Sequence, residues 1–410
     1  MNANLLLNSL KPLLKKNIKV IASTLIVVFS GFFLSSNSEA SKNEVDLTAT
    51  PITIPSKDES AILIERYPEN ATEKVRHKLD SLLKRINKRH DFHGAILVAK
   101  NGKIMYNNQI GYADFRNKVP LDEVSMFQLA SVSKQFTAAA IMLLNERNQI
   151  QLTDTVNTYF PDFPYENVTI KNLLNHTAGL PKYFWVAEHK WQQEKAPSNS
   201  EMMELLESSD VQRFFKPGRN FDYSNTGYFV LASIVEKVSG TSFGAFLKSN
   251  FFDPLHMDNT YVYSFENDSI KKNQLDGYRL YRGWRHLKIN NTVNDAIVGD
   301  KNVYATTEDL FKWTLGLNNG KLLSKESLGL MHSQGETVYG RKIPYGFGFR
   351  INTKGEKSIY HYGKWNGFST GLTQYLEDDL IVIVLEHTSY NAMKSLNIKI
   401  KKIVTENFDV

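Results

Sequence analysis

"HYGKWNGFSTG", residues 361–371, carries two catalytic signatures that imply different folds. Its last five residues, Gly367-Phe368-Ser369-Thr370-Gly371, fit G-x-S-x-G, a nucleophile elbow with Ser369 as the nucleophile. Its first three, His361-Tyr362-Gly363, fit a strand edge lining a pocket whose nucleophile lies far upstream. An elbow needs a helix directly after its serine. Here "TGLTQYLEDDLIVIVLE" follows and reads as a hairpin. The elbow's partners, Asp378 or Asp379 and His387, would all fall within 18 residues on that hairpin. The stretch is therefore read as strand, its glycines as places of close backbone approach.

Working outward, "YGFGFRI" and "SIYHY" flank a turn at Lys354-Gly355, and "STGLTQYL" and "LIVIVLE" flank Glu377–Asp379. The segment 391–408 spaces Met393, Leu396, Ile398, Ile400 and Ile403 mainly as a helix. Upstream, residues 71–90 put Val75, Leu79, Leu82, Leu83 and Ile86 on one helical face. In 94–114, apolar runs flank Asn101-Gly102, a tight-turn pair. Residues of about 125–330 are mostly helical by pattern, and no internal repeat is visible. The expected fold is α+β: an antiparallel sheet of five or more strands built from both ends of the chain. N- and C-terminal helices flank it, and a mostly helical subdomain is inserted between its halves.

The chain has 410 residues, no cysteine and a formal net charge of +6. Disulfides, thiolate catalysis, zinc–cysteine sites and a lipidated cysteine are excluded. The four lysines and one glutamate of residues 1–40 carry +3 of the charge, and the remainder is too mild to indicate nucleic acid. Those lysines (11, 15, 16 and 19) precede an apolar run of 15 residues, Val20–Leu34, short for a membrane span and suited to an export signal. Ser38-Glu39-Ala40 offers a cleavage site. Residues 1–40 are read as a signal peptide or an N-terminal membrane anchor, 41–70 as a linker and 71–410 as the main domain. Export to the periplasm or cell envelope is expected, with membrane association through the N-terminus. No H-E-x-x-H occurs and the histidines are scattered, so neither metal nor cofactor is implied.

Ser-x-x-Lys occurs three times, at Ser81–Lys84, Ser131–Lys134 and Ser269–Lys272. Ser81 sits on an amphipathic surface helix and Ser269 in a polar loop. Ser131 opens "SVSKQFTAAAIMLLNERNQ", a helix whose Ala138–Ala140 suit a packed core. The i, i+3 spacing brings Lys134 onto the face of Ser131. A lysine in a dry core loses part of its preference for charge and can relay a serine proton. On this motif alone, a solvated Ser–Lys pair at a helix start is an equal reading. Tyr-x-Asn also occurs three times, at Tyr106, Tyr165 and Tyr223. Only the last, Tyr223-Ser224-Asn225, lies in a loop between Pro217-Gly218 and a helix, a placement that would fix a phenol for proton transfer. In isolation it is a turn with a half-buried tyrosine. His361 ends a strand and offers a donor near the leaving group or substrate carboxylate, Gly363 permits close approach, and the amides of Ser131 and Lys364 can serve as paired oxyanion donors.

The ordered set "ASVSKQFTA", "HTAGLP", "YSNTGY", "VYATTEDLFKW", "YGFGF" and "HYGKWNGF" resembles the serine β-lactamase and penicillin-binding protein superfamily. Within it, the chain looks like the class C β-lactamase, DD-peptidase and esterase branch, over about residues 80–408. The resemblance implies Ser131 as acylated nucleophile, Lys134 as its base, Tyr223 as proton shuttle and Asn225 as a substrate-binding side chain. His361 would replace the lysine of a Lys-Thr-Gly element, with Gly363 beside it, and the amides of Ser131 and Lys364 would form the oxyanion hole. Tyr362 stands where a small hydroxyl usually meets the substrate carboxylate, and Lys364 is an alternative cation. The implied activity is serine hydrolysis through an acyl-enzyme on D-alanyl peptides or related cell-wall D-amino-acid amides and esters. Carboxylesterase, β-lactamase or ligand-sensing roles are the competing readings. A small-molecule or peptidoglycan-derived substrate, no nucleic-acid partner and a monomer are expected.

Overall fold

The computed structural model describes residues 62–264 and 271–408. The expected export signal or anchor (1–40), its cleavage site, most of the 41–70 linker and Ser269 lie outside the described residues. One unit of the chain spans Pro55–Val410.

The sheet comprises β1 (Glu65–Arg66), β2 (Gly94–Lys100), β3 (Lys103–Ile110), β4 (Arg350–Asn352), β5 (Ser358–Trp365), β6 (Phe368–Tyr375) and β7 (Leu380–Glu386). Its order is β1-β3-β2-β7-β6-β5-β4, so both ends of the chain meet at its centre, where β2 pairs with β7. Every neighbouring pair is antiparallel except β1–β3. Asn101 and Gly102, both at positive φ, make the β2–β3 turn, the backbone a two-residue hairpin needs.

Both sheet faces are covered, which is why β7 reads as a continuous apolar run rather than alternating. One face carries Ile96, Val98, Val382 and Val384 against α1 (Glu69–His90) and the C-terminal α4 (Met393–Asn407). On α1 the expected apolar stripe is the buried one, although the helix begins at Glu69 and Glu65–Arg66 already join the sheet. On α4 the buried residues are Met393, Leu396, Asn397, Ile400 and Val404, whereas Ile398 is exposed. A helical repeat from 393 puts 396/397, 400 and 404 on one side and 398 on the other.

The opposite face carries Leu97, Ile359, Leu372 and Ile383 against the helical region. At its centre runs α2 (Lys134–Glu146), buried almost all round, with Phe136 stacked 4.1 Å from Trp313. Beside it lies α3 (Asn225–Ser239), capped by the Ser224 hydroxyl and ended by Gly240 in the left-handed region.

Ser369 lies within β6, buried, opposite Lys364 and Glu386. No helix follows it. His387 bonds the carbonyls of Asp276 and Tyr112 instead. The elbow geometry is absent.

Candidate active site

Ser131 lies in a 3-10 turn, Ala130–Ser133, directly before α2 rather than inside the α-helix. Ala130 stands at φ 47°, a left-handed backbone that is uncommon for a residue with a Cβ. The turn is pressed against β5 and β6. The Thr370 hydroxyl donates to the Leu129 carbonyl at 2.6 Å. A Cβ on Gly363 would stand 2.4 Å from that same oxygen and 2.9 Å from the Ala130 Cβ. Only glycine lets the strand come this close. β4 covers β5 only over Ser358–Tyr360, so from His361 onward that edge of β5 is free of strands.

Lys134, fully buried, has three acceptors for its three N–H groups. These are Ser131 Oγ at 3.3 Å, Asn225 Oδ1 at 2.8 Å and the Asp300 main-chain carbonyl at 2.7 Å. Burial pushes its pKa down to about 7, against the pull of the Asp300 carboxylate and with the help of the Arg350 guanidinium. Asn225 Oδ1 and the Asp300 carbonyl can only accept. In the neutral amine they take the two remaining N–H groups, which leaves the lone pair for the Ser131 hydroxyl.

Tyr223, the residue before the α3 cap, is half-buried against the core; burial first of all holds its phenol above the ordinary range, with the neighbouring Ser131 side chain acting the other way. Lys134 Nζ lies 5.1 Å from its ring centroid and the Arg350 guanidinium 5.0 Å, so two cations flank one ring. The structure thus brings Ser131 and Lys134 from one segment together with Tyr223 and Asn225 from a second.

Comparison with known proteins places the chain in a family. Residues 79–404 match the Beta-lactamase family model. The chain belongs to the beta-lactamase family. It is a serine hydrolase, as its homologues of this fold are. It is 35% identical to penicillin-binding protein 4* of Bacillus subtilis (strain 168) over 326 residues, 76% of this chain and 72% of that protein. The penicillin-binding protein from Bacillus halodurans superposes with a TM-score of 0.68 at 25% identity, covering 77% of this chain and 98% of that one. The D-amino acid amidase from Ochrobactrum anthropi SV3 shares the fold, with a TM-score of 0.66 at 20% identity over 82% of this chain and 99% of that one.

Within this family frame, the His361 element departs from the expectation that it donates to substrate. His361 Nδ1 lies 2.9 Å from the Tyr362 carbonyl, so Nδ1 carries the proton and Nε2 accepts. Nε2 lies 3.1 Å from Tyr345 Oη and 3.5 Å from Tyr223 Oη. Burial, with the Lys134 and Arg350 charges adding to it, pushes the ring's pKa well below its usual value. His361 is a neutral acceptor that aims two phenols. Strand alternation turns Tyr362 and Lys364 to the other face. Tyr362 packs with the α1 and α4 cluster, and the Lys364 ammonium bonds Asn391. Neither the Tyr362 hydroxyl nor the Lys364 cation reaches the Ser131 side.

Three residues with no expected role complete the site. His176, from "HTAGLP", is buried among the rings of Tyr223, Tyr345 and Tyr228. Its carbonyl accepts from Asp222 N and its Nδ1 from Ser224 N, clamping both sides of Tyr223. Asp300 offers Lys134 only a backbone oxygen, while its carboxylate takes Tyr183 Oη at 3.1 Å and Lys301 Nζ at 3.3 Å. Arg350, half-buried at the end of "YGFGFR", forms no ion pair among the described residues. The signal for His176 and Arg350 was their place inside the quoted blocks; a backbone acceptor leaves none.

Proposed function

We propose that the protein is an exported hydrolase acting through an acyl-enzyme on Ser131, with D-alanyl peptides or related D-amino-acid amides and esters as substrates. The observation that carries this reading is the three-acceptor seat of Lys134, which leaves the neutral amine's lone pair for one proton, that of Ser131. Lys134 takes that proton as Ser131 Oγ attacks the acyl carbon. The amides of Ser131 and Lys364 receive the developing oxyanion. Tyr223, whose ring lies 5.1 Å from the Lys134 nitrogen, passes a proton to the departing amine or alkoxide. Water then cleaves the ester along the same relay in reverse.

The terminal carboxylate of such a peptide needs a cation. With Tyr362 and Lys364 turned away, the group on hand is Arg350, without an ion pair among the described residues, whose guanidinium rests over Tyr223 and Tyr345. The relation to penicillin-binding protein 4* supports a peptide-type substrate. Export and envelope location rest on the sequence of residues 1–40. Carboxylesterase action on small neutral esters is the second reading, favoured by the absence of a third-element hydroxyl facing the site.

Labelled penicillin or a fluorophosphonate should add its mass to the peptide bearing Ser131; label on Ser369 would overturn the assignment. Turnover of a D-Ala-D-Ala peptide, a p-nitrophenyl ester and nitrocefin then ranks the substrates. Ester turnover with no peptide turnover would establish the second reading instead.

A further inference from the structure

Residues 271–288, "KKNQLDGYRLYRGWRHLK", hold six Lys/Arg and one Asp, a net of +5 where the whole chain carries +6. Most of this segment is a hairpin of strands Tyr278–Tyr281 and Arg285–Lys288, remote in sequence from every catalytic segment. Its register pairs Tyr278 with Lys288, Leu280 with His286, Arg279 with Leu287 and Tyr281 with Arg285. Cross-strand partners share a face.

The hairpin is rooted firmly. Tyr278 is buried, and its amide donates to the His387 carbonyl at 2.8 Å. His286 stacks on Phe115 at 3.6 Å and bonds Asp91 Oδ2 at 2.7 Å. The other Asp91 oxygen takes His93 Nε2 at 3.2 Å. His93 Nδ1 accepts from Tyr112 N, so its Nε2 carries a proton. Asp91, His93 and His286 therefore form a hydrogen-bonded anchor rather than an open set of metal ligands.

Beyond the root, residues 279–285 are exposed among the described residues. Arg282 and Gly283 turn the tip in the left-handed region, with open space around Gly283. Trp284 is 73% exposed, and Leu280 and Tyr281 are exposed too. Lys288 is paired with Asp276. Arg279, Arg282 and Arg285 form no ion pair among the described residues; the Arg282 guanidinium merely lies 5.2 Å from the Tyr281 ring. The adjoining turn 112–120, packed on through Phe115, exposes Tyr112 and Val119 beside Arg116 and Lys118.

Arginines with no ion pair among the described residues, beside an exposed tryptophan, suit a partner that is anionic at its surface and apolar just beneath it. A soluble polyanion would satisfy the charges and leave Trp284 in water. We propose that hairpin 278–288 docks the protein on an anionic lipid bilayer, with Arg279, Arg282 and Arg285 at headgroup phosphates and Trp284 at the interface. Because the hairpin is already formed and held at its root by Tyr278 and His286, docking orders little chain.

The test is sedimentation of the full chain with phosphatidylglycerol–phosphatidylcholine vesicles against pure phosphatidylcholine vesicles. Any contribution of Val20–Leu34 is common to all variants. Preference for the anionic vesicles, weakening with salt, is expected. R279Q/R282Q/R285Q should lose that preference, on the order of a hundredfold in partitioning. W284A should weaken binding on the order of tenfold. Unchanged ester hydrolysis would verify that both variants fold. Equal partitioning of wild type and the triple variant would overturn the proposal. So would arginine-dependent binding to soluble polyphosphate that W284A leaves intact, with no gain from phosphatidylglycerol.

Discussion

Gly363 approaches the turn that carries Ser131 so closely that a Cβ there would stand 2.4 Å from the carbonyl oxygen of Leu129. Neither wall can give easily, since one is strand backbone and the other a 3-10 turn tied to β6 through Thr370. Gly363→Ala should therefore cost about 1–3 kcal/mol of stability by overpacking. It should also displace Ser131 from its amide partner, lowering kcat by on the order of a hundredfold. Thermal unfolding and steady-state kinetics on one preparation separate the two effects.

With Lys134 as the proposed base, its titration sets the pH profile. Its pKa is pushed down to about 7, chiefly by burial, and it acts as base only when neutral. kcat/KM should rise with pH, with a midpoint of about 7, and level off once the amine is deprotonated. Lys134→Ala should lower kcat by roughly 10²–10⁴-fold. Asn225→Ala removes one of the acceptors that aim the lone pair, so it should reduce kcat by a smaller factor and leave the protein folded. A flat profile across pH 6–8 in the wild type would assign the base elsewhere.

Much of this was legible in the sequence, and the limits are physical. The sheet was readable because both ends of the chain carry apolar runs broken by Asn-Gly and acidic turns. The contact between Ser131 and Lys134 was readable because they sit three apart on one helical face. What escaped involves backbone or distance. Asp300 acts through a carbonyl, which any residue possesses. Arg350 reaches Tyr223 across 127 positions of sequence through the fold alone. His361 looked like a donor because the carbonyl that takes its proton is main chain. Strand alternation already implied that Tyr362 and His361 face apart; the apolar cover over that second face showed only in three dimensions.

That alternation gives a control. Tyr362 packs on the helix-covered face and Lys364 bonds Asn391. Tyr362→Phe and Lys364→Ala should each leave KM for a carboxylate-bearing peptide within about twofold of wild type, as for changes away from a site. A tenfold rise in either would place that side chain on the substrate.

Arg350 should behave in the opposite way. Its guanidinium lies over the Tyr223 ring and has no carboxylate partner among the described residues, so a substrate carboxylate can pair with it without first breaking an ion pair. A hydrogen bond to a charged group contributes about 1.5–3 kcal/mol, so Arg350→Gln should raise KM for a D-Ala-D-Ala peptide roughly 10–150-fold. A neutral p-nitrophenyl ester should be nearly unaffected. The same change carries a second signature. The Arg350 charge helps to hold the Lys134 pKa down, so removing it favours the ammonium and should move the acid limb of kcat/KM to higher pH. A merely structural arginine would weaken both substrates alike. If the limb shifts while peptide and ester KM stay together, Arg350 tunes Lys134 and does not hold the substrate, and the esterase reading of the site gains accordingly.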